Sequence, residues 1–258
     1  MKSQEYQAIK FKKNSKTIFN DQIVKEAPLQ ININGNPYTV VMRTPGDDLE
    51  LIRGLLYAED IYKEKQNLIF EIIDQDDNNF TIINLKIPKH NLSSGYLNKR
   101  TLLSVSSCGV CGTQTLDNLT VNGDKLDIKS SVNVNQISTM FNTMNKKQET
   151  FAKTGASHAA SIFNQDFNIL TLMEDIGRHN AVDKCIGDLI NNNQLNKAKY
   201  LLVSGRVSYE IVTKSFIAKI PTIIAVSGCS SLSIDFAKEF GIQLIGYFRG
   251  NTYTIYNL

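Results

Sequence analysis

The strongest constraint on this chain is its rhythm after residue 157. Short apolar runs at 169–173, 200–203, 222–226, 243–248 and 253–256 alternate with amphipathic stretches at 180–191, 209–219 and 232–240. Short strands separated by helices of these lengths predict an α/β layer with a largely parallel sheet. In such sheets ligands gather at the carboxyl ends of the strands. Here four runs end in polar segments: Glu174-Asp175-Ile176-Gly177-Arg178-His179, Ser204-Gly205-Arg206, Ser227-Gly228-Cys229-Ser230-Ser231 and Arg249-Gly250-Asn251-Thr252. Parallel strands would bring these tips to one rim. Arg178, Arg206 and Arg249 with Ser204, Ser227 and Ser230 suit an anionic or phosphate-bearing ligand. Ordinary turn chemistry is the plainer alternative, because Gly and Ser favour turns in any case.

The first half reads differently. Residues 5–45 form strands, with 29–34 and 38–42 joined through Gly35-Asn36. A helix follows at 47–59, capped by Asp47 or Asp48, with Leu49, Ile52, Leu55 and Leu56 on its apolar face. A hairpin pairs 68–73 with 80–87. The stretch 99–131 is less periodic, and 133–147 is a helix with Ile137, Met140, Phe141 and Met144 on one side. This divides the chain into a smaller strand-rich N-terminal subdomain (1–100), a cysteine-containing loop region (101–131) and an α/β domain (132–258). Over 258 residues, 42% are hydrophobic and 21% charged, which excludes wholesale disorder, collagen and coiled coil. No run approaches the ~20 apolar residues of a membrane span. The N-terminus has no apolar h-region, so a cytoplasmic protein is expected. The net charge of +3 is dispersed along the chain, which does not suggest nucleic-acid binding.

Two of the four cysteines lie in Ser106-Ser107-Cys108-Gly109-Val110-Cys111-Gly112. Such a pair can supply half a zinc site, cycle between dithiol and disulfide, or carry sulfur as a persulfide. A four-cysteine zinc site needs a second pair, and Cys185 and Cys229 stand far apart; zinc would have to recruit His158 or His179. A thioredoxin-type pair opens a helix, and helix signals after Cys111 are poor. A persulfide carrier needs an exposed thiolate. In Thr154-Gly155-Ala156-Ser157-His158-Ala159-Ala160, the histidine segment follows the cysteine pair. Zinc deaminases have the reverse order and a glutamate where Ala160 stands, so deaminase chemistry is not expected. Taken alone, His158 reads as a packed, hydrogen-bonded residue. Finally, Arg178 and His179 are cations at a predicted helix start, where the helix dipole disfavours them. That conflict points to a bound anion or an acidic partner.

Together these segments resemble the FdhD family of formate dehydrogenase accessory sulfurtransferases. The resemblance rests on Cys108-Gly109-Val110-Cys111-Gly112, the 154–160 segment, and Glu174-Asp175-Ile176-Gly177-Arg178-His179-Asn180-Ala181-Val182-Asp183-Lys184. It continues through Ser204-Gly205-Arg206-Val207-Ser208-Tyr209-Glu210, Ala225-Val226-Ser227 and Gly246-Tyr247-Phe248-Arg249-Gly250, with Arg43-Thr44-Pro45 and Asp48-Leu49-Glu50 early on. It implies a cytidine-deaminase-like layered α/β C-terminal domain with a smaller β-rich N-terminal subdomain, and a homodimer. It implies a sulfur carrier that accepts persulfide sulfur from a cysteine desulfurase. The recipient is the molybdenum bis(molybdopterin guanine dinucleotide) cofactor of formate dehydrogenase, and no permanently bound metal is expected. Cys108 would bear the persulfide, with Cys111 as its partner. Cofactor contacts would include Tyr247, Phe248, Arg249, Gly250, Asn251 and Thr252, beside Arg206, Ser204, Ser227, Arg178, His179 and His158. A second reading is a cofactor-binding chaperone whose cysteines are structural or bind zinc.

Overall fold

Among the described residues, three sheets and six α-helices are built, most of them from the segments that carry the apolar periodicity. The computed structural model describes residues 2–13, 15–64, 66–93, 95, 123–127 and 132–256. The N-terminal strands are β1 (Ser3–Lys12), β2 (Ser15–Val24), β3 (Ala27–Ile33) and β4 (Asn36–Arg43). After α1 (Asp48–Ala58) come β5 (Ile69–Gln75) and β6 (Thr81–Lys86). Among the described residues, strands β1 and β2 pair only with each other, whereas the other four form a sheet in the order β4-β3-β6-β5. The β3–β4 turn has Asn34 at φ 52° and Gly35 at φ 81°. Two positive φ values in a two-residue turn match the right-handed twist of a hairpin, and they place the turn one residue earlier than expected. Asp47 stands at the N-cap of α1, but its side chain makes no cap bond. Its carboxylate is 2.7 Å from Lys2 Nζ, and Asp48 holds Arg43 through two bonds of 2.9 and 2.8 Å.

The second half comprises α2 (Val134–Lys147), α3 (Glu149–Thr154), β7 (His158–Phe163), β8 (Ile169–Asp175), α4 (Arg178–Asn191) and β9 (Tyr200–Val203). It continues with α5 (Tyr209–Ile217), β10 (Thr222–Ala225), α6 (Ser231–Phe240), β11 (Gln243–Arg249) and β12 (Thr252–Ile255). These six strands lie in the order β12-β11-β10-β9-β7-β8. Only β9, β10 and β11 are parallel neighbours; β7 and β12 run against them. The expected largely parallel sheet is therefore mixed. The reason is β7, which lies between β8 and β9 and reverses the direction on that side.

The sheet is buried on both faces, and alternate residues serve different cores. Ala160, Ile162, Leu201, Val203 and Ile223 pack with α4, α5 and α6. Ala159, Phe163, Leu202, Ile224 and Ile245 face α2 through Met140, Phe141 and Met144. A separate core lies between α1 and the four-stranded sheet, built from Leu29, Ile31, Ile33, Ile52, Leu56, Ile83 and Leu85.

Helices α1 and α4 join the two halves. A methyl group on Gly54 would sit 1.9 Å from the Asp183 carbonyl oxygen, and one on Gly187 would sit 1.9 Å from that of Glu50. Only glycine lets the two backbones approach this closely. No helix among the described residues is long and apolar enough to cross a membrane.

Candidate functional site at the strand tips

Because β8, β9, β10 and β11 share one direction, their carboxyl ends meet at one edge, and β7 and β12 start there. The order of the sheet, not proximity in sequence, makes this rim. Ser204 follows β9 and is tied to the start of β7. Its backbone N–H donates to the Ala159 carbonyl at 3.0 Å, and its hydroxyl accepts from the Ala159 N–H at 2.9 Å. That hydroxyl also lies 3.5 Å from His158 Nδ1. Gly205 is wedged beside His158 and Arg178; a methyl there would meet His158 Nδ1 at 3.2 Å and Arg178 Cδ at 3.4 Å. His158, Arg178, Ser204, Gly205 and Arg206 thus form one cluster.

Its electrostatics are positive. Burial lowers the His158 pKa first, the guanidiniums of Arg178 and Arg206 lower it further, and Asp175 opposes them. His158 is therefore held neutral at pH 7. The half-buried Arg178 keeps its Nε out of solvent with no hydrogen-bond partner among the described residues. Among those residues no carboxylate forms an ion pair with Arg178, Arg206 or Arg249. An orphaned guanidinium N–H at a half-buried edge suits an anion with several oxygens.

The neighbouring loops are tied together by their backbones. Val207 N–H donates to Gly228 O at 3.0 Å, Ser230 N–H to Val207 O at 3.1 Å, and Tyr247 N–H to Ser227 O at 3.1 Å. Tyr247, at φ 52°, lies against Gly228, where a methyl would be 2.5 Å from its hydroxyl. Arg249 donates from Nη1 to the carbonyls of Val226 and Phe248. Gly250, Asn251 and Thr252 are exposed in the β11–β12 turn, and Ser138 of α2 donates to Gly250 O at 3.0 Å.

Several expected site residues have other occupations. The Phe248 ring is buried and stacked on Phe141 with centroids 5.0 Å apart. Ser230 caps α6 by accepting from Ser233 N–H at 3.2 Å. His179 turns to the start of α5, with Nε2 2.9 Å from Ser208 Oγ and 3.2 Å from Glu210. The acidic partner expected at the start of α4 is thus Glu210, for His179. The N-cap residue of α4 is Gly177, and Asp175 accepts its N–H at 2.8 Å. Glu174 accepts from the N–H groups of Thr150 and Phe151, both at 2.7 Å, and from the Ser157 hydroxyl at 2.8 Å. Both acids are buried and committed, so neither is free to move protons at the rim.

Sequence reasoning missed the link behind the rim. Asp175 is fully buried, 2.8 Å from Lys184 Nζ and 3.1 Å from the Thr44 amide nitrogen. Lys184 donates to Thr44 O at 2.9 Å, and Thr44 Oγ1 accepts from Ile176 N–H at 3.0 Å. The loop carrying Arg178 is thereby anchored to the N-terminal half.

Cys108 and Cys111 lie outside the described residues. Of the others, Cys185 is fully buried, donates to Ala160 O at 3.2 Å, and has its pKa raised by burial. Cys229 is half-buried, and its pKa is pushed up to about 12 by burial. Both are protonated at neutral pH and poor nucleophiles. Among the described residues no three His, Cys, Asp or Glu side chains gather into a metal-binding group.

Comparison with known proteins gives the rim its context. The model of the FdhD/NarQ family matches residues 24–258. The chain belongs to the FdhD/NarQ family. Among its FdhD/NarQ relatives, the sulfur carrier protein FdhD of Streptomyces coelicolor is 35% identical over 248 residues, covering 92% of this chain and 87% of the relative. That of Saccharolobus solfataricus is 37% identical over 241 residues, covering 92% and 89%. A crystal structure described as a formate dehydrogenase accessory protein, from Desulfotalea psychrophila, superposes with a TM-score of 0.75 at 20% identity. It covers 99% of this chain and 97% of that one. The fold shared with that neighbour thus extends over essentially the whole chain.

Proposed function

We propose that this chain carries sulfur on its Cys-Gly-Val-Cys segment and holds the recipient at the strand-tip rim. The observation that carries this reading is the convergence of Arg178, Arg206 and Arg249 on one edge without carboxylate partners among the described residues. The recipient is the molybdenum bis(molybdopterin guanine dinucleotide) cofactor of formate dehydrogenase, a large anion rich in phosphate oxygens. Guanidinium groups and the amides of the 204–206 and 226–230 loops suit those oxygens. The family's relatives are sulfur carriers by name, which supports the thiol half. So does the state of Cys185 and Cys229, since burial keeps both as thiols.

The transfer balances as thiolate exchange. The Cys108 thiolate attacks the outer sulfur of a cysteine desulfurase persulfide. A new S–S bond forms on Cys108, the desulfurase S–S bond breaks, and the desulfurase cysteine leaves as thiolate. Cys111 then attacks Cys108 Sγ. The outer sulfur departs as sulfide to the bound recipient, and a Cys108–Cys111 disulfide remains for a thiol reductant to reopen. A pair of copies in the cytoplasm belongs to the same reading.

Intact-mass spectrometry after incubation with an active cysteine desulfurase and cysteine tests the carrier step. One added sulfur is expected, removable by reductant and absent in Cys108→Ser. An unchanged mass would leave a cofactor-binding chaperone that carries no sulfur. The binding step has its own test. Titrated with GDP in a calorimeter, Arg206→Ala is expected to bind roughly 10- to 150-fold more weakly, the equivalent of one lost charge-assisted hydrogen bond. Equal affinities would remove Arg206 from the binding surface.

A further inference from the structure

His158 stands where the charge of the rim is decided. It is the first residue of β7 and is registered opposite Asp175, the last residue of β8. Its Nδ1 lies 3.5 Å from Ser204 Oγ, and a methyl on Gly205 would meet Nδ1 at 3.2 Å and Cε1 at 3.3 Å. Arg178 Cδ closes on the same point at 3.4 Å. The half-buried ring is therefore packed into the arginine cluster rather than beside it.

Among the described residues, the charges acting on the ring are Arg178 from α4, Arg206 from the β9–α5 loop and Asp175 from β8. Both guanidiniums oppose a proton on the imidazole, and neither has a carboxylate ion pair among those residues. Asp175 favours that proton, but its carboxylate is fully buried and already bound to Lys184, Asn180 and the N–H groups of Thr44 and Gly177. Glu174, its neighbour on β8, is taken up by α3 and Ser157. His179, which follows Arg178, is turned to Glu210. The free protein thus holds a neutral imidazole beside two cations without ion-pair partners.

A polyanion seated on Arg178 and Arg206 reverses that balance. Each of its charges offsets a guanidinium, and an opposite charge within about 4–6 Å strengthens proton binding to a basic group by about 10- to 1,000-fold. We propose that a polyanion binding at this rim draws one proton onto His158, so that the neutral ring becomes a third cation of the site. The buffer supplies the proton, which adds to the ring nitrogen that lacks one. This inference rests on the reading of the rim as an anion site. The free ring titrates below the ordinary value of about 6.5, because burial and the two guanidiniums hold it neutral. The bound ring titrates above it. Affinity therefore rises as pH falls through the range where the bound ring takes its proton, and levels off once the free ring is protonated too.

Titration calorimetry of the full chain with GDP-glucose tests this. The probe has a guanine and a pyrophosphate diester and no group that titrates near neutrality, so any proton taken up belongs to the protein. At about pH 6.5 the binding enthalpy should differ between two buffers of different ionisation enthalpy, in the sense of uptake of part of one proton. Affinity should rise roughly three- to tenfold from about pH 8 to about pH 6. In His158→Gln the enthalpy should be the same in both buffers, and the affinity the same at both pH values. The native protein gives an independent measure, because its histidines are His90, His158 and His179. The His158 ring resonance, assigned in proton NMR through His90→Gln and His179→Gln, should titrate below about pH 6.5 without the probe and above it with the probe bound. Binding without proton uptake, uptake that persists in His158→Gln, or a His158 titration indifferent to the probe would overturn the inference and leave the anion site standing. Absence of binding would remove the anion site, and the inference with it.

Discussion

Gly54→Val will detach the N-terminal half from the α/β half and leave no cooperatively folded protein at 37 °C. The methyl positions of Gly54 and Gly187 point at the opposing helix backbone from both sides, each 1.9 Å from a carbonyl oxygen. A flexible side chain could yield; a helix backbone can do so only by moving the whole helix. Overpacking a core usually costs about 1–3 kcal/mol, and the larger values arise where backbone must shift. Gly54→Ala should already lose at least about 3 kcal/mol in urea unfolding, and valine more. Gly155→Ala provides the contrast. It has a positive φ of 67° but nothing within 4 Å, so left-handed strain alone should cost about 1–2 kcal/mol. Equal losses at Gly54 and Gly155 would show that the α1–α4 crossing does not determine stability.

Lys184→Met should be nearly as damaging, for an electrostatic reason. Asp175 and Lys184 are both fully buried and 2.8 Å apart. Removing one partner leaves the other as an uncompensated buried charge, which costs about 3–5 kcal/mol. For a chain of this size that corresponds to a drop in Tm of roughly 6–20 °C. Asp175→Asn should fall in the same range and also loosen the Gly177 and Asn180 bonds that set the start of α4. The double variant Asp175→Asn, Lys184→Met should recover part of the loss, because no buried charge is left unpaired. Thermal unfolding of the three proteins measures this. Additive losses in the double variant would mean that the pair is not coupled.

Much of this architecture was legible because each element carried its own signal. The runs at 200–203 and 222–226 are short, apolar and followed by Ser-Gly, that at 243–248 is followed by Arg249-Gly250, and they became β9, β10 and β11. The heptad-like spacing of Ile137, Met140, Phe141 and Met144 marked the buried face of α2. Strand β7 was missed because Ala159, Ala160 and Ser161 dilute its apolar run; its burial comes from lying between β8 and β9. Helix α3 has only six residues, and its capping carboxylate, Glu174, comes from a distant strand. The same limit hid the Thr44–Asp175–Lys184 link, because Thr44 is more than a hundred residues from the other two in the chain. Rim membership of Arg178, Ser204 and Arg206 followed from strand direction, whereas the orientation of His179 toward Glu210 depended on how α4 meets α5.

The loops after β9 and β10 are laced to each other and to β11 by backbone bonds, and Arg249 of β11 adds a side-chain bond to Val226 O. A rim fixed in this way presents its shape before anything arrives, so little chain motion has to be frozen on docking. Ligands of similar charge should therefore be captured at similar rates and differ in how long they stay. For a carrier, the dwell time at the rim would then decide how long a loaded thiol has to reach its recipient.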